Sequence, residues 1–193
     1  SFKSYTVDQI STLSTDQIKS ANSAAIKTLT ADQIKALSPE QIAAIGKTDT
    51  GYETGVITAL SGAQLAAFTP YQTQFGFTTG QINSLSSSQL TALTTGQLSA
   101  MAYDQVQAIQ TGAVRALTSA QVKVLSADQI KALESEAGEQ LTTTQIKALA
   151  AGQLDALSSF TTTQIKALSN VQLQSLSEEQ MRTMSSEIGR AHV

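Results

Sequence analysis

An eight-residue repeat runs along almost the whole chain, and its period limits the fold more than any other feature. A glutamine followed by an apolar residue recurs at Gln9-Ile10, Gln17-Ile18, Gln33-Ile34, Gln41-Ile42, Gln81-Ile82, Gln89-Leu90, Gln97-Leu98 and Gln105-Val106. It continues at Gln121-Val122, Gln129-Ile130, Gln145-Ile146 and Gln153-Leu154, and after a shift at Gln164-Ile165, Gln172-Leu173 and Gln180-Met181. Three residues after the first apolar position stands a second one, as at Leu37, Leu93, Leu117, Leu133 and Leu149. Three residues before the glutamine there is usually a hydroxyl, as at Thr6, Ser14, Thr30, Ser38, Ser86, Thr118 and Ser126. Ala25-Ile26 and Ala113-Val114 fill two vacancies with the register intact.

The unit Ser/Thr-x-x-Gln-apolar-x-small-apolar has the chemistry of a helix start. A hydroxyl at the N-cap accepts from the N3 backbone N–H, and a glutamine at N3 reaches back to the N-cap N–H. Acidic residues often precede the glutamine (Asp8, Asp16, Asp32, Glu40, Asp104, Asp128), where the positive helix end favours them. Lysine often follows the first apolar residue, nearer the negative end (Lys19, Lys35, Lys131, Lys147). Pro39 and Pro70 each follow a cap hydroxyl and so fall at N1, the helical position proline favours.

A single long helix is excluded by the period. At about 100° per residue, eight residues overshoot two turns by roughly 80°, so the apolar pair would spiral around the cylinder with no fixed face. Strands conflict with the i, i+3 apolar spacing. The expectation is an all-α, solenoid-like array of very short capped helices, about eight residues per unit, forming one repeat domain over residues 1–193. Helices this short are unstable alone, so their apolar pairs must pack on neighbouring units as an Ile/Leu/Val axis. Small residues before the second apolar position (Ala36, Ala44, Ala92, Ala132) suit close approach, and Ser, Thr, Gln and Lys are expected outside. The number of octads per turn stays open.

The repeat breaks in a few places. Residues 46–55 interrupt it, and the register then runs one residue early through Leu65 and Phe68 until the stretch 73–80 restores it. Segment 134–141 is a weakened unit with Gly138 at an apolar position, and an insertion within 158–163 shifts the last units. Ala102 and Ala150 lack the cap hydroxyl, which predicts fusion of the helices on either side. Residues 189–193 fall outside the pattern and read as a possible non-native tail.

Composition bounds the chemistry. Charged residues make up 14%, against roughly 25% in an average globular chain, and the net charge is −3. No apolar run approaches the roughly 18 residues of a membrane span, so no membrane insertion is expected. No charged segment followed by an apolar one opens the chain, so no cleavable signal peptide is expected. There is no cysteine, and the single histidine, His192, lies outside the repeats, so no catalytic residue, cofactor or metal site is expected. Thr48–Glu53 sets one Asp and one Glu beside a glycine, short of the roughly 6–8 oxygens calcium takes, and reads as a surface loop. Four of the nine aromatic residues, Phe68, Tyr71, Phe75 and Phe77, fall close together. They are the candidate partner-binding residues, the competing reading being that large rings fill a void where the register shifts.

Octads such as Leu125-Ser126-Ala127-Asp128-Gln129-Ile130-Lys131-Ala132-Leu133 resemble the tandem helical repeats of very large bacterial secreted or surface proteins. The resemblance implies an extracellular or cell-surface, non-enzymatic role as a structural or adhesive segment, with other copies, surface proteins or glycans as partners. The stretch Leu37-Ser38-Pro39-Glu40-Gln41-Ile42-Ala43-Ala44-Ile45 is similar to the first helix of the DNA-reading repeats in transcription activator-like effectors. That likeness implies a DNA-binding helical repeat, which the period of eight and the negative charge oppose.

Overall fold

The structure, a computed structural model, describes residues 1–48, 51–52, 54–134, 141–157 and 160–190. Among them are twenty helices and two two-residue strands, β1 (Lys47–Thr48) and β2 (Gly51–Tyr52), which pair antiparallel. The octads fold as read: capping boxes close at Thr6/Gln9, Ser14/Gln17, Ser38/Gln41, Thr94/Gln97 and most other units. The cap hydroxyl accepts from the N3 N–H at 3.1–3.3 Å, as at Ser126 and Gln129 (3.1 Å) or Ser86 and Gln89 (3.3 Å). Each cap residue has extended backbone, so the chain turns a corner at every unit.

Three helices make a turn through most of the chain and two near its C-terminal end, and successive turns stack helix on helix in columns. One column runs nearly the length of the molecule: α2 (Thr15–Lys19), α5 (Pro39–Ala44), α8 (Pro70–Gly76), α11 (Thr95–Ala100), α14 (Ser119–Lys123), α16 (Thr143–Ala148), α18 (Thr162–Ala167) and α20 (Glu178–Arg190). The second stacks α1 (Val7–Ser11), α4 (Ala31–Lys35), α7 (Gly62–Ala67), α10 (Ser87–Ala92) and α13 (Thr111–Val114). The third stacks α3 (Ser23–Ile26), α6 (Thr54–Ile57), α9 (Thr79–Ser84), α12 (Tyr103–Gln107), α15 (Ala127–Glu134) and α17 (Ala151–Leu154). Helix α19 (Asn170–Gln174) lies between α18 and α20 in the chain. Small residues set the spacing: a Cβ at Gly62 of α7 would stand 2.8 Å from that of Ala92 on α10.

The first apolar residue lies on the axis in most octads, while in the last three units Ile165 and Leu173 are partly buried and Met181 is exposed. Ile10, Ile26, Ile34, Ile42, Val114 and Ile130 are 0% exposed, and the second apolar residues close the core around them. The glutamines correct the expectation of a Ser/Thr/Gln/Lys exterior, because Gln33, Gln41, Gln81, Gln97, Gln129 and Gln145 are among fourteen repeat glutamines that are buried. Each uses both ends of its amide. Gln129 Oε1 accepts from the Ser126 N–H (2.9 Å), while its Nε2 donates to the carbonyls of Leu98 (3.0 Å), Ser99 (3.3 Å) and Met101 (2.7 Å) one turn earlier. A helix end leaves four N–H and four C=O groups without intrahelical partners, and in helices of four to six residues that is most of the backbone. The glutamine joins the orphan donors of one turn to the orphan acceptors of the turn before. Gln9 and Gln17, in the first turn of the described residues, close their capping boxes but are exposed.

The irregular segments change the turn length and leave this pairing intact. The regular separation between a glutamine and the corner carbonyl it binds is 28 residues, as for Gln121 with Leu93 and Gln153 with Leu125. It is 35 for Gln64 with Leu29, across segment 46–55, and 29 for Gln97 with Phe68, across segment 73–80. It falls to 23 for Gln172 with Leu149 and Gln180 with Leu157, where a turn holds two helices in place of three and Phe160 is buried at 3% exposure between α17 and α18.

Helix fusion at Ala102 and Ala150 does not occur. Both residues are extended (ψ 161° and 163°) and the flanking helices are separate. The glutamine half of the box suffices: Gln105 and Gln153 each accept from the cap N–H at 2.9 Å. The lost hydroxyl matters less than the corner contact, since Gln105 also donates to Phe77 O at 2.6 Å and Gln153 to Leu125 O at 2.7 Å. In segment 134–141, residues 135–140 with Gly138 lie outside the described residues, as do Asp49, Thr50 and Glu53 of the 48–53 loop. Helix α20 carries the backbone through Gly189 and Arg190, and residues 191–193 with His192 lie outside the described residues.

Candidate functional site

The four clustered aromatics divide between core and surface, Phe68 by closing the preceding helix, Tyr71 by its N2 position, and Phe75 and Phe77 within a helix one residue longer than usual. In a regular unit such as α5 the cap Ser38 is followed by Pro39, Glu40, Gln41, the axial Ile42, two alanines and the closing Ile45. Helix α8 starts the same way, with Thr69 as cap, Pro70 at N1 and Gln72 at N3. It then runs one residue longer, to Gly76, so Phe77 is its closing residue. Thr73 takes the axial place, 0% exposed, and satisfies its hydroxyl on Thr69 O at 3.0 Å.

A threonine is smaller than the isoleucine or leucine that other units place there. Phe68 (2% exposed) and Phe77 (5%) supply the missing volume, packed edge to face with centroids 4.9 Å apart. These two rings belong to the core and present no surface to a partner. Tyr71 and Phe75 point the other way. They are 62% and 58% exposed, at N2 and N6 of α8, with ring centroids 4.7 Å apart and planes at 45°.

The helix beneath this pair is firmly held. Gln72 accepts from the Thr69 N–H (2.9 Å) and donates to Ile34 O (2.9 Å), Lys35 O (3.2 Å) and Leu37 O (2.8 Å). Gly76 abuts Ile42 of α5, with an added Cβ only 2.9 Å from Ile42 Cδ1. On the other side α11 packs against α8 with Gly96 at N2, the position equivalent to Tyr71, so no side chain rises there. From Thr54 to Ala102 the sequence holds no Asp, Glu, Lys, Arg or His, with Glu53 and Asp104 the flanking charges. On the side of the preceding turn, however, the stacked helix α5 carries Glu40 at N2, the position equivalent to Tyr71. That uncharged stretch was readable in the sequence, but it holds Phe68 and Phe77 as well and so does not separate the outward pair from the buried one.

Elsewhere the described residues hold shallow grooves between stacked helices. One, of about 430 Å³, is lined by Asp128, Lys131, Asp155, Glu179 and Gln180. Another, of about 460 Å³, is lined by Arg115, Thr142, Thr143 and Thr161–Thr163. No group of three or more His, Cys, Asp or Glu side chains placed to hold a metal ion is present among the described residues. No helix among them is long and apolar enough to cross a membrane. Among the described residues one ionisable group is clearly shifted: Glu40, at N2 of α5, accepts its own backbone N–H and the Ser38 hydroxyl, which hold its carboxyl below the usual glutamate value.

The ALTTAQ repeat family model matches residues 98–135, a fifth of the chain. Ala116-Leu117-Thr118-Ser119-Ala120-Gln121 within that span is close to the string that names the family, and it is also one octad junction: small residue, closing apolar residue, cap hydroxyl and corner glutamine. Together with the stacked short helices, the match makes this a tandem-repeat protein. None of the curated proteins matches the chain.

Proposed function

We propose that the chain is a non-enzymatic structural segment, a spacer or adhesive stalk, of a bacterial extracellular or surface protein. The observation that carries this is the unbroken column from α2 to α20, locked at its corners by buried glutamines. Eight stacked helices at roughly 9 Å spacing give a body about 60–65 Å long. The accessible surface, 9631 Å², is about a tenth larger than a compact 20.2 kDa chain would have, in keeping with a short rod.

Small-angle X-ray scattering tests the shape. The rod predicts a radius of gyration of about 19 Å, against about 16 Å for a compact domain of this length. A value at the compact figure refutes the spacer reading. Antibody labelling of intact, unpermeabilised cells that make the chain tests the location; label only after permeabilisation refutes it. A binding module is the second reading, favoured by the outward Tyr71–Phe75 pair.

A further inference from the structure

We infer that copies of this chain stack end to end, the first turn of one seated on the last turn of another through the same corner bonds that join turns within the molecule. This goes beyond the spacer reading and does not depend on where the chain is located. It starts from two unused donors. Gln9 and Gln17 close their capping boxes as the buried glutamines do, with Oε1 accepting from the Thr6 and Ser14 N–H groups at 2.8 Å. The box fixes the amide, so each Nε2 faces the side on which Gln33 and Gln41 reach Tyr5 O (2.7 Å) and Leu13 O (2.8 Å). Among the described residues no acceptor meets either Nε2, and both side chains are exposed.

The matching acceptors are at the other end. Leu168, which closes α18, has φ −64° and ψ 139°, the backbone of Leu149 (−69°, 140°), whose carbonyl takes Gln172 Nε2 at 3.0 Å. Leu176 follows Ser175 at φ −89° and ψ −8°, as Leu125, served by Gln153 at 2.7 Å, follows Val124 at −88° and −6°. Both carbonyls are aimed as the served ones are, and no donor among the described residues reaches them. The spacing agrees: donors at 9 and 17 and acceptors at 168 and 176 are each eight apart, as are Gln33 and Gln41 with Tyr5 and Leu13.

Apolar surface accompanies these carbonyls. A residue at N1 faces the following turn: a Cβ on Gly62 of α7 would meet Ala92 of α10, and one on Gly96 of α11 would lie 3.5 Å from Pro70 of α8. Val171, at N1 of α19, is 75% exposed, and Met181, at the axial place of α20, is 48% exposed, so the last turn carries apolar groups that a further turn would cover. A glutamine that binds one closing carbonyl stacks its own helix on the next helix in the chain, as α15, bound to Met101 O, lies on α12. The pairing therefore seats α1 on α19 and α2 on α20. Thr12 and Ser20, where most units have alanine, do not obstruct it. Their hydroxyls turn back to Gln9 O (3.0 Å) and Asp16 O (2.7 Å), as Ser84 does to Gly80 O (2.8 Å) within the stack. A contact between unlike ends is heterologous, and along the axis of a rod it propagates as an open chain.

Sedimentation of the 193-residue chain from about 10 μM to 1 mM is the test, since two helix pairs make a small interface of the transient class. The weight-average mass is expected to rise at least about twofold across that range. Gln9→Glu/Gln17→Glu keeps both boxes and removes both donors, while Val171→Asp places a charge on the opposite end. Each variant should stay monomeric throughout, with a melting temperature no lower than the parent's. Their scattering then gives the shape of the single rod, so failure of stacking and failure of the spacer shape are read separately. An equimolar mixture of the two variants should form a one-to-one dimer and nothing longer, because one intact head and one intact tail remain to pair. A parent that stays monomeric at the highest concentration overturns the proposal, as do association that survives either variant and a mixture that gives no dimer.

Discussion

Replacing Gln129 by glutamate isolates the role of the corner amide, because the two side chains share a shape and the ability to accept from the cap. The Gln129→Glu variant would keep the bond from the Ser126 N–H (2.9 Å) and lose the donor that serves Met101 O (2.7 Å) and Leu98 O (3.0 Å). At a position with 5% exposure, the new carboxylate would face those carbonyl oxygens without solvent. Burial and the carbonyl dipoles both disfavour the charged form, so the folded-state pKa rises above the unfolded value of about 4.3. Ionisation alone can then cost no more than about 3.7 kcal/mol at pH 7, since at that cost the chain folds with the acid protonated. The neutral acid restores one O–H donor and leaves one corner carbonyl unserved, a further loss of about 1 kcal/mol.

The expected penalty is therefore about 3–5 kcal/mol at pH 7, a fall of roughly 10 °C in melting temperature for a chain of this size. Because the folded pKa is raised, the ionisation cost is absent below about pH 4 and grows as pH rises through the window up to the folded pKa. Circular dichroism melts of parent and Gln129→Glu at pH 4 and pH 7 measure this, with hydrogen exchange over residues 97–101 and 126–133 reporting local opening. Gln17→Glu is the internal control. Gln17 closes the same box with Ser14 but is exposed, with no corner beneath it, so the variant should be neutral or slightly stabilised by the helix dipole. Equal melting temperatures for Gln129→Glu and parent at pH 7, or equal losses for the variants at 17 and 129, would refute the corner-amide argument.

Ala150→Ser should stabilise by about 0.5–1 kcal/mol, because its backbone is already extended and the Gln153 N–H lacks a side-chain cap. Ala102→Ser should gain less, since Asp104 Oδ1 already accepts from the Gln105 N–H at 3.0 Å; paired denaturant titrations rank the two. Gly76→Ala should cost about 1–3 kcal/mol, because its Cβ meets Ile42 atoms at 2.9–3.1 Å, whereas Gly112→Ala enters open space and should stabilise by up to about 1 kcal/mol. Glu40 should titrate below the usual glutamate range in a carbon-detected NMR titration, and its contribution to stability should be present above that range and lost as pH falls through its lowered pKa. Ser38→Ala should bring the Glu40 midpoint back toward the ordinary value, while an unchanged midpoint would exclude the Ser38 hydroxyl as a cause.

The helix starts, the aliphatic axis and the all-α class were legible because they rest on contacts within one octad. Thr6 and Gln9 or Ser38 and Gln41 are three residues apart, and a capping box is a local object. The corner bonds were not legible, because their partners lie 23 to 39 residues away and no local pattern marks a carbonyl as an acceptor. A signal was nevertheless present. A capping box accepts glutamate as readily as glutamine, and the helix dipole favours the acid, yet no box among the described residues uses Glu at N3. That exclusion has a physical explanation only if the amide N–H is needed, and the buried Nε2 groups at the corners need it.

The same reasoning explains why the aromatic cluster divided as it did. What this fold keeps constant along its length is the corner: a cap N–H, a glutamine amide and the closing carbonyl of the turn before, whether the separation is 23, 28, 29 or 35 residues. Residues added between corners therefore cannot move the core pairing and must be accommodated within a single helix or loop. In α8, where Thr73 holds the usual axial N4 place, the added residue was absorbed at the C-terminal end, with Phe77 closing the core beside Phe68 and Phe75 turned out next to Tyr71. Regular octads expose single apolar side chains, such as Tyr103 (44%) and Val171 (75%). Among the described helices only the lengthened α8 sets two large rings against each other on its outer face, so a place where the repeat breaks without loss of its corners is where this scaffold acquires a surface of distinct chemistry.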